Sequence, residues 1–440
     1  LPVGVTYHMA RQLSSWDRDL QLMRDMGLNT VRADFGWRDV VPYLEGNYQF
    51  DLVDAFLDKA LQYGLYVVPL FSYATMDLNT PPWFWMRYSG WVMVGADGRQ
   101  LIGDFPSINH PDYRRLFEDY VRQTVRHIRD HPAVIAYQVM NELQYPKGAL
   151  CDYNKYTVGA FRTWLAVRDP SLVQLNSSWS SQFASFADVL PPTSIPVAAS
   201  DANSGLEESW RDWREFTYDN LGAFMQETAD IVRQEDQNHV VLVSDFAYWW
   251  WGLQPITGVS ASQIFRGGDV VGFDLYPDAG TDTEYYALTT DMLLRLWGRP
   301  VWVTELNRRD GRATSAEIGS FVARSIGAGA TGIFYYEWRD NWTDGGAYGL
   351  LDVWGKPKEQ FQSFAAAVRW LNGGAQDLLT RPLPEPDLYV YWPGEAVAVA
   401  TGRSSPAYGV YRAALGMARQ GLRVGVWPDA QSVRNAGSQE

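Results

Sequence analysis

Residues 3–34 read VGVTYHMARQLSSWDRDLQLMRDMGLNTVRAD. A short run rich in β-branched residues is followed by a polar break, then by apolar residues at Trp16, Leu20, Met23 and Met26, then by a second apolar run. The spacing of three and four predicts a helix over Trp16–Met26, and Gly27 stands where such a helix ends. The flanking runs, Val3–His8 and Asn29–Asp34, have the length and composition of strands. The stretch therefore reads as one strand–helix–strand unit.

Working outward, the alternation continues. Strands are expected at Tyr66–Phe71, Val134–Met140, Val240–Ser244, Val270–Tyr276, Val301–Thr304 and Gly332–Tyr336, with helices at Leu52–Tyr63, Pro111–Arg129, Trp210–Gln234, Thr283–Trp297 and Ala313–Gly327. Asn109-His110-Pro111 offers a polar cap and a proline at a helix start, while Gly64 and Gly298 sit at helix ends. Eight such units imply an α/β protein with a (β/α)8 TIM barrel, in which chemistry sits on the loops after the strands.

Residues 1–379 are expected to form this catalytic barrel, with a large insertion at about 143–208, read as an elaborated loop over the active face. TRPLPEP, residues 380–386, reads as a linker, because three prolines in seven residues cannot continue a helix or central strand. Residues 387–440 carry DLYVYW, AVAVA and LRVGVW around a helix-like Ala407–Gln420, a small and incomplete α/β segment with apolar strands that must dock on something.

Composition narrows the function. At 46% hydrophobic and 20% charged the chain can bury a large core, and a net charge of −14 repels phosphate backbones and anionic lipid surfaces. Neither nucleic acid nor membrane is expected as a partner. The single cysteine, Cys151, excludes an intramolecular disulfide and a multi-cysteine metal site, and suits a reducing, cytoplasmic setting. No apolar run is long enough to span a bilayer. No GxGxxG or GxxxxGK[ST] loop is present, so no nucleotide cofactor is indicated. The 20 tryptophans, 25 tyrosines and 19 phenylalanines suit a sugar cleft and a large core alike. Trp83, Trp85, Trp91 and the triplet Trp249–Trp251 follow strands three and five and read as cleft walls, with core or subunit contacts as the alternative.

Two carboxylates stand out. Strand four, VIAYQVMNEL, ends in Asn141-Glu142, and strand seven, VWVTEL, ends in Glu305. A glutamate directly after an apolar strand costs desolvation, which a fold tolerates when a cleft needs a carboxyl group. The plainer reading is a salt bridge at the barrel rim. Two carboxyl groups flanking a glycosidic bond hydrolyse it, one protonating the leaving oxygen while the other attacks the anomeric carbon or activates water. Asn141 could hold a sugar hydroxyl, and Arg32 could keep a nucleophile ionised. Asp34, Asp77, Asp245, Asp274 and Glu337 also lie near strand ends and read mostly as structural groups, with Asp34 and Glu337 the best reserves. His8 at the end of strand one faces either the sugar or the rim. His127 and His131, four apart near a helix end, fit the helix dipole better than a metal.

These segments resemble the clan A glycoside hydrolases and, within them, the family 42 β-galactosidases. The likeness lies in residues 16–68, in HPAVIAYQVMNEL, in FRTWL followed by LNSSWSSQF, in VTEL and in YYEWRD. It implies Glu142 as acid/base, Glu305 as nucleophile, Asn141 on the sugar 2-hydroxyl, Arg32 and Tyr276 supporting the nucleophile, and Trp338 as a sugar platform; His8, Asp34 and Glu337 complete the candidate substrate contacts. It also implies a retaining exo-β-glycosidase acting on carbohydrate, and a homo-oligomer, expected to be a trimer. Two departures matter. Only Cys151 remains where many members hold zinc through a cysteine cluster, so no metal is expected. The Glu and His that follow the strand-eight WR in the family are missing from WRDNWTDGGAYGLLD. A glucosidase, mannosidase or fucosidase, an endo-glycanase of the clan, and a non-catalytic sugar-binding barrel are the alternatives.

Overall fold

The computed structural model describes residues 1–71, 80–101, 106–146, 150–169, 171–196, 206–247, 257–279, 283–341, 347–380, 383, 385–392, 406–420 and 422–427. Asp77, the triplet Trp249–Trp251 and the AVAVA run lie outside the described residues.

Eight parallel strands close into a barrel in sequence order: β1 Val3–Tyr7, β2 Thr30–Asp34, β3 Tyr66–Phe71, β4 Ala136–Val139, β5 Val240–Phe246, β6 Val270–Leu275, β7 Val301–Leu306 and β8 Ala330–Tyr335. β1 pairs with both β2 and β8, which closes the ring. Each strand falls within two residues of its sequence expectation. The reason is burial on both faces, which makes parallel strands read as near-continuous apolar runs.

The connecting helices are α1 Trp16–Met26, α2 Asp51–Gln62, α3 Pro111–Ile128, α4 Lys155–Arg168, α5 Leu206–Glu235, α6 Glu284–Trp297, α7 Ser315–Gly327 and α8 Glu359–Asn372. α1 ends at Gly27, whose φ of 93° is open to glycine at little cost. α3 begins with His110 as its cap, the ring Nδ1 accepting from the Tyr113 N–H at 3.3 Å, followed by Pro111. α7 opens with a reciprocal capping box between Thr314 and Glu317.

The segment after β4 holds more regular structure than a loop. α4 starts at Asn154, whose side chain accepts from the Tyr156 N–H, and Leu172–Ser178 forms a further helix. Phe161 of α4 packs against Trp213 and Phe216 of α5, so the insertion rests on the first half of that 30-residue helix. Buried Asp152 pins its start by accepting from Ser107 and Thr157 hydroxyls, both at 2.5 Å, and from the Val94 and Asn154 N–H groups.

At the far end of the chain, β9 Leu388–Tyr391 and β10 Val424–Trp427 pair in parallel, with helix α9 Pro406–Ala418 between them. This unit rests on α6. Tyr411 stacks on Tyr285 at 4.1 Å, Arg295 sits over the Tyr389 ring, and the Val426 N–H donates to Asp291.

Inside the barrel, Val68, Ala136, Leu242, Val270, Trp302 and Phe334 form one apolar plug. Gly332 makes room for it. A Cβ at that position would lie 2.5 Å from the Trp302 ring. Two residues further along three of these strands the inward side chains turn polar: Gln138, Ser244 and Thr304, all fully buried. The site stands on that polar layer.

Candidate active site

Arg32 is the hub of the upper barrel. It is fully buried, and its guanidinium reaches three other strands or their ends. Nε donates to Gln138 Oε1 at 2.6 Å, Nη1 to Thr6 Oγ1 and Glu305 Oε1, both at 2.8 Å, and Nη2 to Asn141 Oδ1. A buried cation persists only with its donors satisfied and a counter-charge in reach. Here Glu305 supplies the charge and the neutral oxygens take the remaining donors. Arg32 thereby fixes Glu305 and Asn141 relative to one another.

Glu305 also accepts from the Tyr276 hydroxyl through its other oxygen. Across from it, Glu142 follows β4 in a left-handed backbone conformation, φ 47°, two residues after Met140 at φ 60°. Such conformations cost a residue with a Cβ of order 1 kcal/mol or more and cluster where a side chain must be aimed. The turn brings Glu142 to a group of three carboxyls. One oxygen from each of Glu142, Asp274 and Glu305 lies within 4.8 Å of the other two.

Their settings differ. Burial and the Asp274 charge push Glu305 up to about 8, while Arg32 and Tyr276 stabilise its ionised form. Burial pushes Glu142 well above the usual carboxylate range, and Glu305, Asp274 and Asp245 add to the effect. Arg32 opposes this from a distance, its contact being with Glu305. With two donors on Glu305 and none of that kind on Glu142, a proton shared by the cluster belongs on Glu142. The three carboxyls are the only group among the described residues with metal-ligand geometry, and Arg32 already supplies a positive charge beside them.

At the ends of β8, β1 and β2, next round the ring from β7, Glu337, His8 and Asp34 come together. His8 Nδ1 meets Asp34 Oδ2, and Nε2 lies 3.0 Å from Glu337 Oε2, while Asn341 donates to both Glu337 oxygens at 2.8 Å. Burial alone favours the neutral ring, but the two carboxylates raise His8 to about 10. Burial alone likewise raises Asp34, yet His8 and Arg32 hold it below its ordinary range. An aromatic wall links this group to the nucleophile side. Tyr276 stacks on Phe246 at 5.8 Å and meets Tyr336 and Tyr348 edge-on, and Tyr336 meets His8 at 6.2 Å.

Of the nine residues singled out from the sequence, eight converge on this mouth. Trp338 does not. It is fully buried and its ring packs edge-on to Phe361 of α8, on the outer side of the barrel, so Tyr336 takes the place at the mouth. Trp83 and Trp91 are likewise not cleft walls. They are buried, Trp83 meeting Trp37 and Trp91 meeting Phe84, and Trp85 stacks on Trp91. His127 and His131 pair separately with Asp54 and Asp58 of α2 rather than with each other. Cys151 is buried, which pushes its thiol up and away from reactivity.

The reading from sequence missed Thr6, Gln138, Tyr336 and Tyr348, and it set Asp274 aside as structural. Gln138 carried a signal: it is an amide inside an otherwise apolar strand. Tyr336 directly follows the last residue of β8, the position that barrel geometry assigns to chemistry.

A family model described as beta-galactosidase, glycoside hydrolase family 42, matches residues 7–372. The beta-galactosidase BgaA of Clostridium cellulovorans is 25% identical over 405 residues, covering 84% of this chain and 57% of that protein. The beta-galactosidase LacZ of Heyndrickxia coagulans is 27% identical over 347 residues, covering 74% and 49%. The chain thus spans about half the length of the curated relatives it matches. Among solved structures, the cold-adapted beta-galactosidase of Rahnella sp. R3 superposes with a TM-score of 0.82 at 20% identity over 97% of this chain and 65% of that one. That last likeness is one of fold.

Proposed function

Because the chain belongs to glycoside hydrolase family 42, we propose that it hydrolyses terminal β-linked galactosides with retention of configuration, Glu305 acting as nucleophile and Glu142 as acid/base. The observation that carries this reading is the unequal treatment of two neighbouring carboxyls: Glu305 accepts from Arg32 and Tyr276, while Glu142 has carboxylate neighbours and no cation in contact. One oxygen of each lies within 4.8 Å of the other, which is nearer to the roughly 5–5.5 Å between carboxyl groups of retaining enzymes than to the roughly 6.5–9.5 Å of inverting ones.

In the first step Glu305 attacks the anomeric carbon while Glu142 gives its proton to the leaving oxygen, and the glycosidic bond breaks. In the second, Glu142 takes a proton from water, whose oxygen displaces Glu305 and restores the starting configuration. Asn141, oriented by Arg32, would hold the sugar 2-hydroxyl, and the half-buried ring of Tyr276 would flank the sugar. Asp34 and Glu337, with His8 between them, would contact the remaining hydroxyls, in place of the absent Glu and His after the strand-eight WR. We assign residues 1–379 to catalysis and residues 387–440 to assembly, in a homotrimer working in the cytoplasm without a cofactor. No helix among the described residues is long and apolar enough to cross a membrane.

Nitrophenyl glycosides test the sugar. The β-galactoside should be turned over faster than the β-glucoside, β-mannoside and β-fucoside, and a clear preference for one of those would replace the assignment. Replacing Glu305 with Ala should nearly abolish turnover and permit azide rescue with inverted product, whereas Glu142→Ala should retain activity where the leaving group needs no proton. For assembly, light scattering from an active monomer near 49.9 kDa would exclude the trimer.

A further inference from the structure

The fully buried carboxyl of Asp274, at the end of β6, has no part in the two steps above, yet it is held on the site by dedicated donors. Thr304 Oγ1 donates to its Oδ1 at 2.6 Å and Ser244 Oγ to the same oxygen at 3.3 Å. Its Oδ2 has no hydrogen-bond partner among the described residues, and one oxygen of the carboxyl lies within 4.8 Å of an oxygen of Glu142. Two carboxyls can share a hydrogen bond only when one of them carries the proton. The clamp on Oδ1 favours charge on Asp274, so the proton rests mainly on Glu142.

We infer that Asp274 is a positioning residue for the acid step: its clamped carboxylate accepts a hydrogen bond from Glu142, aims that group and keeps it protonated between turnovers. The inference rests on the assignment of Glu142 as acid. When Glu142 gives its proton to the leaving oxygen, it becomes an anion beside the Asp274 anion, a repulsion that favours recovery of a proton from the attacking water in the second step. The other groups facing the pair are Glu305 from β7, Asp245 from β5, Arg32 from β2, Tyr276 after β6 and Tyr286 from α6. Arg32 is the only cation among them, and its contact is with Glu305.

The test is the pH dependence of kcat/KM in two variants that perturb the pair in opposite directions. Asp274→Asn keeps an oxygen for Thr304 and Ser244 but removes the charge, so Glu142 should lose its proton more readily. The alkaline limb should fall by about one pH unit or more, and the loss on phenyl galactoside should exceed that on 2,4-dinitrophenyl galactoside by about tenfold. Thr304→Val removes the closer donor to Oδ1 and makes Asp274 a stronger base. The pair then holds its proton more tightly, and the alkaline limb should move up.

Unchanged limbs with equal losses on both substrates, or a shift of both variants in one direction, would overturn the inference. If Asp274→Asn does not fold, Thr304→Val decides alone, and an unmoved limb refutes it. Glu142→Gln separates this result from failure of the underlying assignment. If that variant keeps the wild-type dependence on leaving group, Glu142 is not the acid and both readings fall; if it does not, the Asp274 variants decide.

Discussion

Along the same strands, Ala136, Leu242 and Trp302 fill the lower barrel with hydrocarbon, while Gln138, Ser244 and Thr304, two residues on and on the same face, carry the hydrogen bonds of the upper barrel. Both layers are buried, yet they are held by different physics. The lower one depends on filled volume, so its cost of damage is set by the cavity left behind and does not vary with pH. The upper one depends on matching each buried charge with a counter-charge or a donor, so its cost of damage is a matter of protonation. A barrel can thus separate support from chemistry by one step along each strand.

The largest expected effect lies in the plug. Trp302→Ala should destabilise by about 3–5 kcal/mol, and the loss measured by denaturant unfolding should be the same at about pH 6 and about pH 9. A pH-dependent loss would show that the two layers are not independent. Arg32→Met should disturb the upper layer chiefly through activity. Without the cation Glu305 holds its proton more tightly, so kcat should fall by about a hundredfold or more and the acid limb of the profile should move up.

His8 gives a smaller effect with a defined sign. Its folded value, about 10, is raised above the ordinary 6.5, so its contribution to stability is fully present below about 6.5 and lost as pH rises towards 10. His8→Gln should therefore cost about 2 kcal/mol near pH 6, with the difference from the parent protein shrinking as pH rises. A constant cost would mean that the ring is neutral between Asp34 and Glu337. The smallest effect should come from Asp245, a buried carboxyl that burial pushes well above its usual range. A carboxyl raised in the folded state costs stability as pH climbs above its unfolded value of about 4, so Asp245→Asn should be neutral at low pH and stabilising by about 1 kcal/mol near neutrality.

Much of this architecture could be read from the chain because local signals and tertiary structure agree. Strands buried on both faces appear as apolar runs, and Gly27, Pro111 and Gly298 punctuate the helices between them. Glu142 and Glu305 were visible because a carboxylate after such a run violates the pattern. Residues whose role depends on register around the ring were not. Gln138 and Thr6 meet Arg32 across 106 and 26 positions, distances over which no periodicity speaks. Trp338 shows the same limit. One position past Glu337 the chain points the other way, and the ring joins α8 instead of the mouth. α4 escaped notice as a helix because its apolar residues are not confined to one face: Phe161 and Leu165 are buried while Val167 is exposed.

The division of roles between Glu305 and Glu142 is tested most directly by trapping the covalent intermediate. Incubation with an activated 2-deoxy-2-fluoro-β-galactoside, followed by proteolysis and mass spectrometry, should add one fluorogalactosyl group to the peptide containing Glu305, at the carboxyl that accepts from Arg32 and Tyr276. Attachment to Glu142, Asp274 or Glu337, or inverted product with no adduct at all, would contradict it.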